Sequence, residues 1–311
     1  MFRRVSLGVL AALFFSSTFI LNRAMSLAGG NWAWSASLRY GYMLVFLILI
    51  LLITRGWNGL AQVFRVFAEY WLFWIIAGSV GFGVFYALIC YSAEFSPAWI
   101  IATTWQTTIL STPLILAIFD RKVPSRGLLF TGLIFIGILL VNIEHASSTG
   151  LGVMFSGTLP VLVAAFAYPL GNQMVWEAHR AENPFLPQIR SEILENGFAR
   201  VLLLTLGSVP FWIGLMIFVH PPPPSAGQWL NTALVALFSG VIATTIFLYA
   251  RHLCQHSYEI AAVDATQSTE VIFSLLGEII FLNGALPGPL GLVGILLAVA
   301  GLVAYVLVSN G

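Results

Sequence analysis

Glu270 is the residue whose surroundings in the sequence suggest chemistry most directly. It lies near the middle of the apolar run 260–282, and Thr266, Gln267 and Ser274 share its face of a helix, four and three residues before it and four after it. A carboxylate in hydrocarbon is costly unless it faces a partner or a cavity. We therefore expect Glu270 to titrate or to bind substrate, with a hydrogen bond between helices as the structural alternative.

Other polar and aromatic residues also fall inside apolar runs, where they could form a substrate site. Rings with a hydroxyl or indole N–H can sandwich amphipathic molecules, and core packing or an interfacial belt is the alternative for each. An arginine could bind a substrate carboxylate or extend to the headgroups instead. The candidate substrate-binding or coupling residues are Asn22, Arg23, Tyr86, Trp105, Gln106, Tyr168, Asn172, Tyr249, Asp264, Gln267 and Glu270. We expect most of them to line the main cavity. Glu278 is nearer the outer face, as are Arg23 and Arg39, so we expect a structural salt bridge for it at least as much as a functional role.

The composition requires a membrane to hold these residues in place. Only 8% of the 311 residues are charged and 59% are hydrophobic, whereas a soluble protein carries about 25% charged residues. This composition excludes soluble enzymes and disordered chains. Nucleic-acid binders are also excluded, because the net charge is +1 and no basic stripe is present. The sequence predicts an all-α polytopic membrane protein.

Apolar runs of about 20 residues, the length that crosses a bilayer, predict ten transmembrane helices. They are Val5–Leu27, Leu38–Ile53, Trp71–Tyr91, Pro97–Phe119, Gly127–Ile143, Leu151–Trp176, Gly197–Val219, Leu230–Ala250, Ile260–Leu282 and Gly288–Val308. With a cytoplasmic N-terminus, all 13 basic residues except Arg23 and Arg39 lie on the inner side, including Lys122 and Arg126. We predict a multi-pass protein of the bacterial plasma membrane with both termini cytoplasmic.

A weak internal repeat divides the chain into two halves. Shifting the sequence by 163 residues gives 11 identities in the 54 positions from 86 to 139, among them Tyr86 with Tyr249. Five helices in each half make the second half enter from the opposite face, an arrangement common in secondary transporters. We predict inverted repeats at about 1–145 and 146–311. Residues 1–176 contain the first five-helix repeat and the sixth span, with a cytoplasmic N-terminus. Residues 177–196 form a charged cytoplasmic loop, and 197–311 contain the remaining spans of the second repeat, with a cytoplasmic C-terminus.

Three segments resemble a known family: 16–24 (SSTFILNRA), 78–87 (GSVGFGVFYA) and 97–106 (PAWIIATTWQ). They look like the multidrug resistance efflux transporter family, in the EamA-like branch of the drug/metabolite transporter superfamily. The resemblance covers essentially the whole chain. It implies ion-coupled or facilitated export of small organic molecules by alternating access. The first helix lacks the membrane-embedded glutamate of the distant four-helix relatives.

The leading hypothesis is therefore an exporter of drugs or small organic metabolites, with proton coupling through Glu270 attached to it. One alternative is uptake or exchange of amino acids or nucleotide-linked precursors, and another is a membrane-embedded lipid-handling enzyme. We expect no enzymatic activity, no metal, and no cofactor other than a coupling proton. The expected partners are a small organic substrate and the lipid bilayer, with monomer and homodimer both open.

Overall fold

The computed structural model describes residues 2–121, 128–180 and 183–309, and these residues form an all-helical protein without strands. Ten helices are long and apolar enough to cross a membrane. They are α1 Phe2–Leu27, α2 Trp32–Glu69, α3 Trp71–Ser92, α4 Ala98–Ile118, α5 Leu128–Thr149, α6 Leu151–Arg180, α7 Gly197–Val219, α8 Ala226–His252, α9 257–282 and α10 Pro289–Ser309. The cytoplasmic prediction for Lys122 and Arg126, and the predicted start of the fifth span at Gly127, lie outside the described residues.

Local capping explains several helix ends. The side chains of Asn31, Asn196 and Ser225 accept hydrogen bonds from backbone N–H groups in the first turns of α2, α7 and α8, at 2.9, 3.1 and 3.1 Å. His220 and Asn283 adopt left-handed conformations and terminate α7 and α9.

Helix α2 is longer than the sequence predicts. It bends at Gly56, whose φ of 65° is readily adopted only by glycine, and continues to Glu69. Beyond the bend, Leu60, Val63 and Val66 form a buried face. The segment after Gly56, which lies outside the predicted second span, is therefore helical, with one apolar face packed in the protein.

Four helices contain a π-helical turn, a 3₁₀ turn or a break, and they form two pairs whose members are five helices apart. Helix α3 widens into a π-helical turn at Ser79–Val84, and α8 does so at Ala236–Ala243. Helix α4 is interrupted at Gln106, and α9 tightens into a 3₁₀ turn at Thr266–Ser268. Such interruptions frequently mark functional segments.

Helix packing follows the same correspondence between the halves. Helices α5 and α10 pack along each other, as do α2 and α7, while α3 packs on α6 and α7 and α8 packs on α1 and α2. Small residues permit these close approaches: a Cβ added at Gly137 would lie 2.5 Å from the Gly294 carbonyl oxygen, and one at Gly81 would lie 2.9 Å from Gly171 Cα. Helices α3 and α8 therefore each pack on the first two helices of the other half, as a two-fold relation between the halves requires. That the two halves are inverted relative to each other stays a prediction.

Contacts between helix ends define two faces of the molecule. On the terminal face, Arg4 at the start of α1 pairs with Glu259 at the start of α9. On the opposite face, the Glu144 carboxylate near the end of α5 accepts hydrogen bonds from the backbone N–H groups of Gly288 and Gly291, both at 2.7 Å. Helix α10 therefore begins on the opposite face and ends on the terminal face, where α1 begins.

The predicted charged loop at 177–196 does not include its first residue. Glu177 belongs to the last turns of α6 and is only 1% exposed. Arg121 donates two hydrogen bonds to its carboxylate, at 2.8 and 2.5 Å, and Gln173 donates a third. A buried charge needs such partners, so Glu177 joins the ends of α4 and α6 instead of facing solvent.

Candidate substrate site

The interruption of α9 positions Glu270. The second half of the helix, Thr269–Leu282, restarts after the 3₁₀ turn, and Glu270 lies in its first turn, where the helix dipole favours negative charge. The side chain is 7% exposed. Within the part of the chain that the structure describes, its carboxylate has no hydrogen-bond or ion-pair partner.

The helices packed against α9 bring no cation to the depth of Glu270. Helices α4 and α10 contain no charged residue, and Tyr305 is the titratable side chain on α10. The arginines of α1 lie near its two ends, and Arg251 lies at the end of α8. Glu270 is therefore a mid-membrane acid without a built-in counter-ion.

Several buried polar atoms near Glu270 along α9 and on α1 also lack partners. They are Gln267 Nε2, Ser274 Oγ and Thr18 Oγ1. Helix α1 packs closely beside α9: a Cβ added at Gly277 on α9 would lie 2.2 Å from the Ile20 side chain on α1. An unmade buried hydrogen bond costs about 1–3 kcal/mol, so a cluster of such atoms indicates a place where water or a ligand binds.

Rings from three helices form an aromatic cluster. The Phe85 ring is 4.9 Å from those of Trp105 and Tyr168, and the last two are 5.7 Å apart. Helix α4, which carries Trp105, packs on α9, which carries Glu270. Tyr168 is 38% exposed.

Two further predicted residues flank this cluster. Gln106 is buried at the interruption of α4, immediately after Trp105, and its amide nitrogen donates to the Ala102 carbonyl at 3.2 Å. Asn172 is exposed one turn beyond Tyr168 and donates to the Tyr168 carbonyl at 2.8 Å.

Arg39 was not predicted as a site residue, yet it contacts the predicted residue Tyr86. Its guanidinium carbon lies 3.9 Å from the centre of the Tyr86 ring, and Nη2 donates to Ser239 Oγ at 3.3 Å. The buried Nε has no hydrogen-bond partner, and no carboxylate pairs with Arg39 among the described residues. Tyr86 in turn accepts a hydrogen bond from Asn22 at 3.0 Å. The available signal was that Arg39 falls just inside a predicted span, where a charge is functional by default.

Packed aromatic rings hold the Arg39 region in place. The Tyr40 ring stacks on that of Trp212 at 4.9 Å and meets the Tyr86 ring edge-on at 5.7 Å. The Trp212 indole donates to Ser208 Oγ at 3.0 Å. The Arg39 guanidinium therefore lies beside a set of packed aromatic rings from α2, α3 and α7.

Arg23 belongs to a network at the opposite face and not to the cluster around Glu270. It donates to the Ala93 carbonyl at 2.8 Å, and its Nε lies 4.0 Å from Glu278. Glu278 also accepts a hydrogen bond from the Ala98 backbone N–H at 2.8 Å. The expected Arg23–Glu278 salt bridge is confirmed, and it joins α1, α9 and the start of α4.

Asp264 and Tyr249 lie toward the terminal face, away from the other predicted residues. Asp264 is 3.5 Å from Arg251 Nε. Tyr249 is 44% exposed, and its hydroxyl accepts from Arg3 at 3.4 Å. These contacts place both residues near the terminal face of the helix bundle.

Glu259 precedes the membrane-spanning part of α9 on the same face. The backbone N–H groups of Gln255 and His256 donate to its carboxylate, and Arg4 lies beside it. These donors hold the pKa of Glu259 below its ordinary value. The group is a charged capping residue that ties α9 to α1.

One cavity of about 830 Å³ lies between α4, α5 and α6, and none of the predicted site residues lines it. Phe135, Ile143 and Phe155 line it and are about half exposed, so it is an apolar groove facing the bilayer. The prediction that the site residues line the main cavity does not hold for this cavity.

Comparisons with known proteins agree with this architecture. A family model described as "EmrE: Putative multidrug resistance efflux transporter" matches residues 2–311. The chain superimposes on a crystal structure with a TM-score of 0.60 at 13% sequence identity, covering 97% of this chain and 96% of the other. At that identity the likeness concerns the fold alone.

Two bacterial proteins are similar in sequence. The uncharacterized protein YjlA of Bacillus subtilis (strain 168) is 38% identical over 324 residues, covering 99% of this chain and 95% of the relative. An uncharacterized 42.1 kDa protein in the intracellular alkaline protease 3′ region of Shouchella clausii is 36% identical over 256 residues, covering 78% of this chain and 63% of the relative. With the match along residues 2–311, the chain belongs to the multidrug resistance efflux transporter family of the drug/metabolite transporter superfamily.

Proposed function

We propose that the protein is a secondary transporter that exports drugs or small organic metabolites by alternating access, with protonation of Glu270 as the coupling event. The observation that carries this proposal is the unpartnered Glu270 carboxylate, buried at mid-helix where α9 is interrupted. Trp105 from the first half and Tyr168 from the second belong to one aromatic cluster, and α4, which carries Trp105, packs on α9. A site shared by both halves is what alternating access needs.

The coupling follows from the cost of an isolated buried charge. A carboxylate without a counter-ion is charged when water surrounds it and is neutral when it is desolvated. A proton and a cationic substrate group would therefore compete for the same oxygens of Glu270. Binding of one displaces the other, and the exchange links substrate movement to proton movement.

The interruptions in four helices supply positions for the structural change. Bending at the irregular turns of α3, α8, α4 and α9 would expose Glu270 to one face of the membrane and shield it from the other. Under the inverted-repeat proposal, each half provides one helix of each pair. The proposal includes cytoplasmic termini, a plasma-membrane location and transport without chemical conversion of the substrate.

Gradient-driven transport by the purified protein in lipid vesicles tests this function. The probes are ethidium as a cationic dye and L-phenylalanine, each measured with and without an imposed pH gradient. We expect accumulation that needs both the protein and the gradient, unchanged in Glu192→Gln, whose side chain is exposed. Vesicles that move neither probe beyond the rate of protein-free vesicles would overturn the proposal. The direction of uphill movement distinguishes export from uptake.

A further inference from the structure

The last part of α2, residues 57–69, has an apolar side that is exposed. Trp57 is 73% exposed and Phe64 is 41% exposed, although another side of the same helix is packed in the protein. We propose that the 57–69 segment is an interfacial helix that lies along the membrane plane among the phospholipid headgroups, with Trp57 and Phe64 toward the lipid hydrocarbon. Its partner is the bilayer surface at the terminal face, and the inference does not depend on the transport function.

The lengths of α2 and α3 place both ends of the segment at one membrane surface. Residues 32–53 of α2 rise by about 33 Å as a helix, which is enough to cross a hydrocarbon core of about 30 Å. The bend at Gly56 therefore lies at the surface. Helix α3 has 22 residues from Trp71 to Ser92 and needs about the same rise to cross back, so Trp71 lies at that surface too.

A helix with both ends at one surface cannot project away from it. Residues 57–69 extend by about 20 Å as a helix. If the segment pointed into the water, Glu69 would lie about 20 Å from the surface. Trp71 could not then begin a span, because two residues reach at most about 7 Å. The segment therefore lies close to the membrane plane.

Contacts with the protein fix the rotation of the segment about its own axis. Leu60, Val63 and Val66 are buried on one side. Gln62 Nε2 donates to Ser191 Oγ, in the loop before α7, at 3.4 Å. The directions of the remaining sides follow from this packing.

The exposed surface of the segment consists of an apolar side and a polar side. At about 100° per residue, the members of each side lie within about 40° of one another, and the two sides are about 100° apart. The exposed residues are Trp57, Phe64 and Ala68 on the apolar side and Asn58, Arg65 and Glu69 on the polar side. The segment therefore presents one side to the protein, one apolar side and one polar side.

The boundary between lipid and water suits both exposed sides. In water, the apolar side would stay hydrated, whereas in hydrocarbon the charges of Arg65 and Glu69 would be costly. An amphipathic helix at the interface buries its apolar side at the boundary of headgroups and acyl chains. Tryptophan is also enriched at this depth. The position in the membrane and the pattern of side chains therefore agree.

The interfacial segment would anchor the start of α3. The Tyr70 backbone N–H donates to the Val66 carbonyl at 3.2 Å, and the Trp74 indole N–H donates to the same oxygen at 3.3 Å. Trp74 is fully buried. These bonds join the segment to α3, so its position holds the first turn of that helix at the membrane surface.

Spin labelling of the full chain in phospholipid nanodiscs tests this placement. Single cysteines are introduced as Ala68→Cys on the apolar side and Asn58→Cys on the polar side, in a protein that also carries Cys254→Ser. The collision rate of each label with oxygen, which concentrates in hydrocarbon, is compared with its collision rate with a water-soluble nickel complex. Leu49→Cys, on the exposed surface of the spanning part of α2, is the hydrocarbon reference, and Glu192→Cys is the water reference.

We expect the oxygen-to-nickel ratio at Ala68→Cys to shift to that of the hydrocarbon reference, and the ratio at Asn58→Cys to match the water reference. Cys254→Ser without an added cysteine reports any labelling of the buried Cys90. Size-exclusion chromatography checks folding, and Phe64→Cys replaces Ala68→Cys if that variant does not fold.

Three results would overturn the interfacial placement. Water-like ratios at both positions would mean that the segment projects from the membrane. A hydrocarbon-like ratio at Asn58→Cys would mean that lipid surrounds the polar side. Low collision rates with both reagents at Ala68→Cys would mean that another protein surface, such as a second copy of the chain, covers the apolar side.

Discussion

Replacing Gly207 by alanine should destabilise the protein, because it forces α7 away from α3 where the two helices pack closely at Gly207. A Cβ at Gly207 on α7 would lie 1.9 Å from the Trp74 carbonyl oxygen on α3. Gly78 on α3 has the reciprocal contact, with the Leu204 carbonyl oxygen 2.4 Å from an added Cβ. Both obstacles are backbone atoms, so no side chain can rotate away. The helices must move apart by about 1 Å, and a gap of that size forfeits up to about half of the dispersion energy of each contact across it.

We expect Gly207→Ala to lower the free energy of unfolding by about 1–3 kcal/mol, the cost of overpacking a close interface. Gly214→Ala is the matched control on the same helix, because nothing lies within 4 Å of its added Cβ. It should change the unfolding free energy by less than about 1 kcal/mol, and in the stabilising direction, since alanine favours the helix. Denaturation by sodium dodecyl sulfate, followed by circular dichroism, measures both variants. Equal effects of the two substitutions would refute the close approach of α3 and α7 at this point.

Two further predictions concern carboxylates near helix ends. Glu144→Ala removes the acceptor for the Gly288 and Gly291 N–H groups and should lower the unfolding free energy by about 1–3 kcal/mol; wild-type hydrogen-exchange rates at the start of α10 in this variant would contradict the contact. Glu259 has a folded-state pKa below the ordinary value of about 4.3, so its carboxylate stabilises the fold above that pH, and the contribution is lost as the pH falls through the folded-state pKa. The difference in melting temperature between wild type and Glu259→Gln should therefore be present at neutral pH and shrink on acidification, and a difference that grows in acid would contradict this sign.

The sequence predicts the ten spans because the bilayer imposes a length and a hydropathy on every helix that crosses it. It does not predict the interruptions of α4 and α9. Gln106 and Thr266–Ser268 carry neither proline nor glycine, so these turns depend on packing against other helices. The extension of α2 was not predicted because Thr54 and Arg55 end the apolar run at Ile53.

The candidate site could be predicted only in part, because it depends on how helices align with one another. Glu270 was identifiable from its position in one helix. The contact of Arg39 with Tyr86 depends on the alignment of α2 with α3, which hydropathy does not contain. Tyr249 was predicted to line the same cavity as Tyr86, its repeat mate, yet it lies toward the terminal face. In inverted halves, equivalent residues away from the midplane lie on opposite sides of it, so repeat mates converge only near the centre.

The central claim, that Glu270 couples transport to protons, is tested most directly by Glu270→Gln in vesicles with an imposed pH gradient. The measurement is accumulation of a probe that the wild-type protein transports, together with proton movement reported by a pH-sensitive dye inside the vesicle. Glutamine keeps the shape and hydrogen-bonding capacity of the side chain but cannot exchange a proton. The account predicts that this variant, with wild-type thermal unfolding, shows neither gradient-driven accumulation nor substrate-dependent proton movement. Wild-type accumulation with wild-type pH dependence in Glu270→Gln would contradict it.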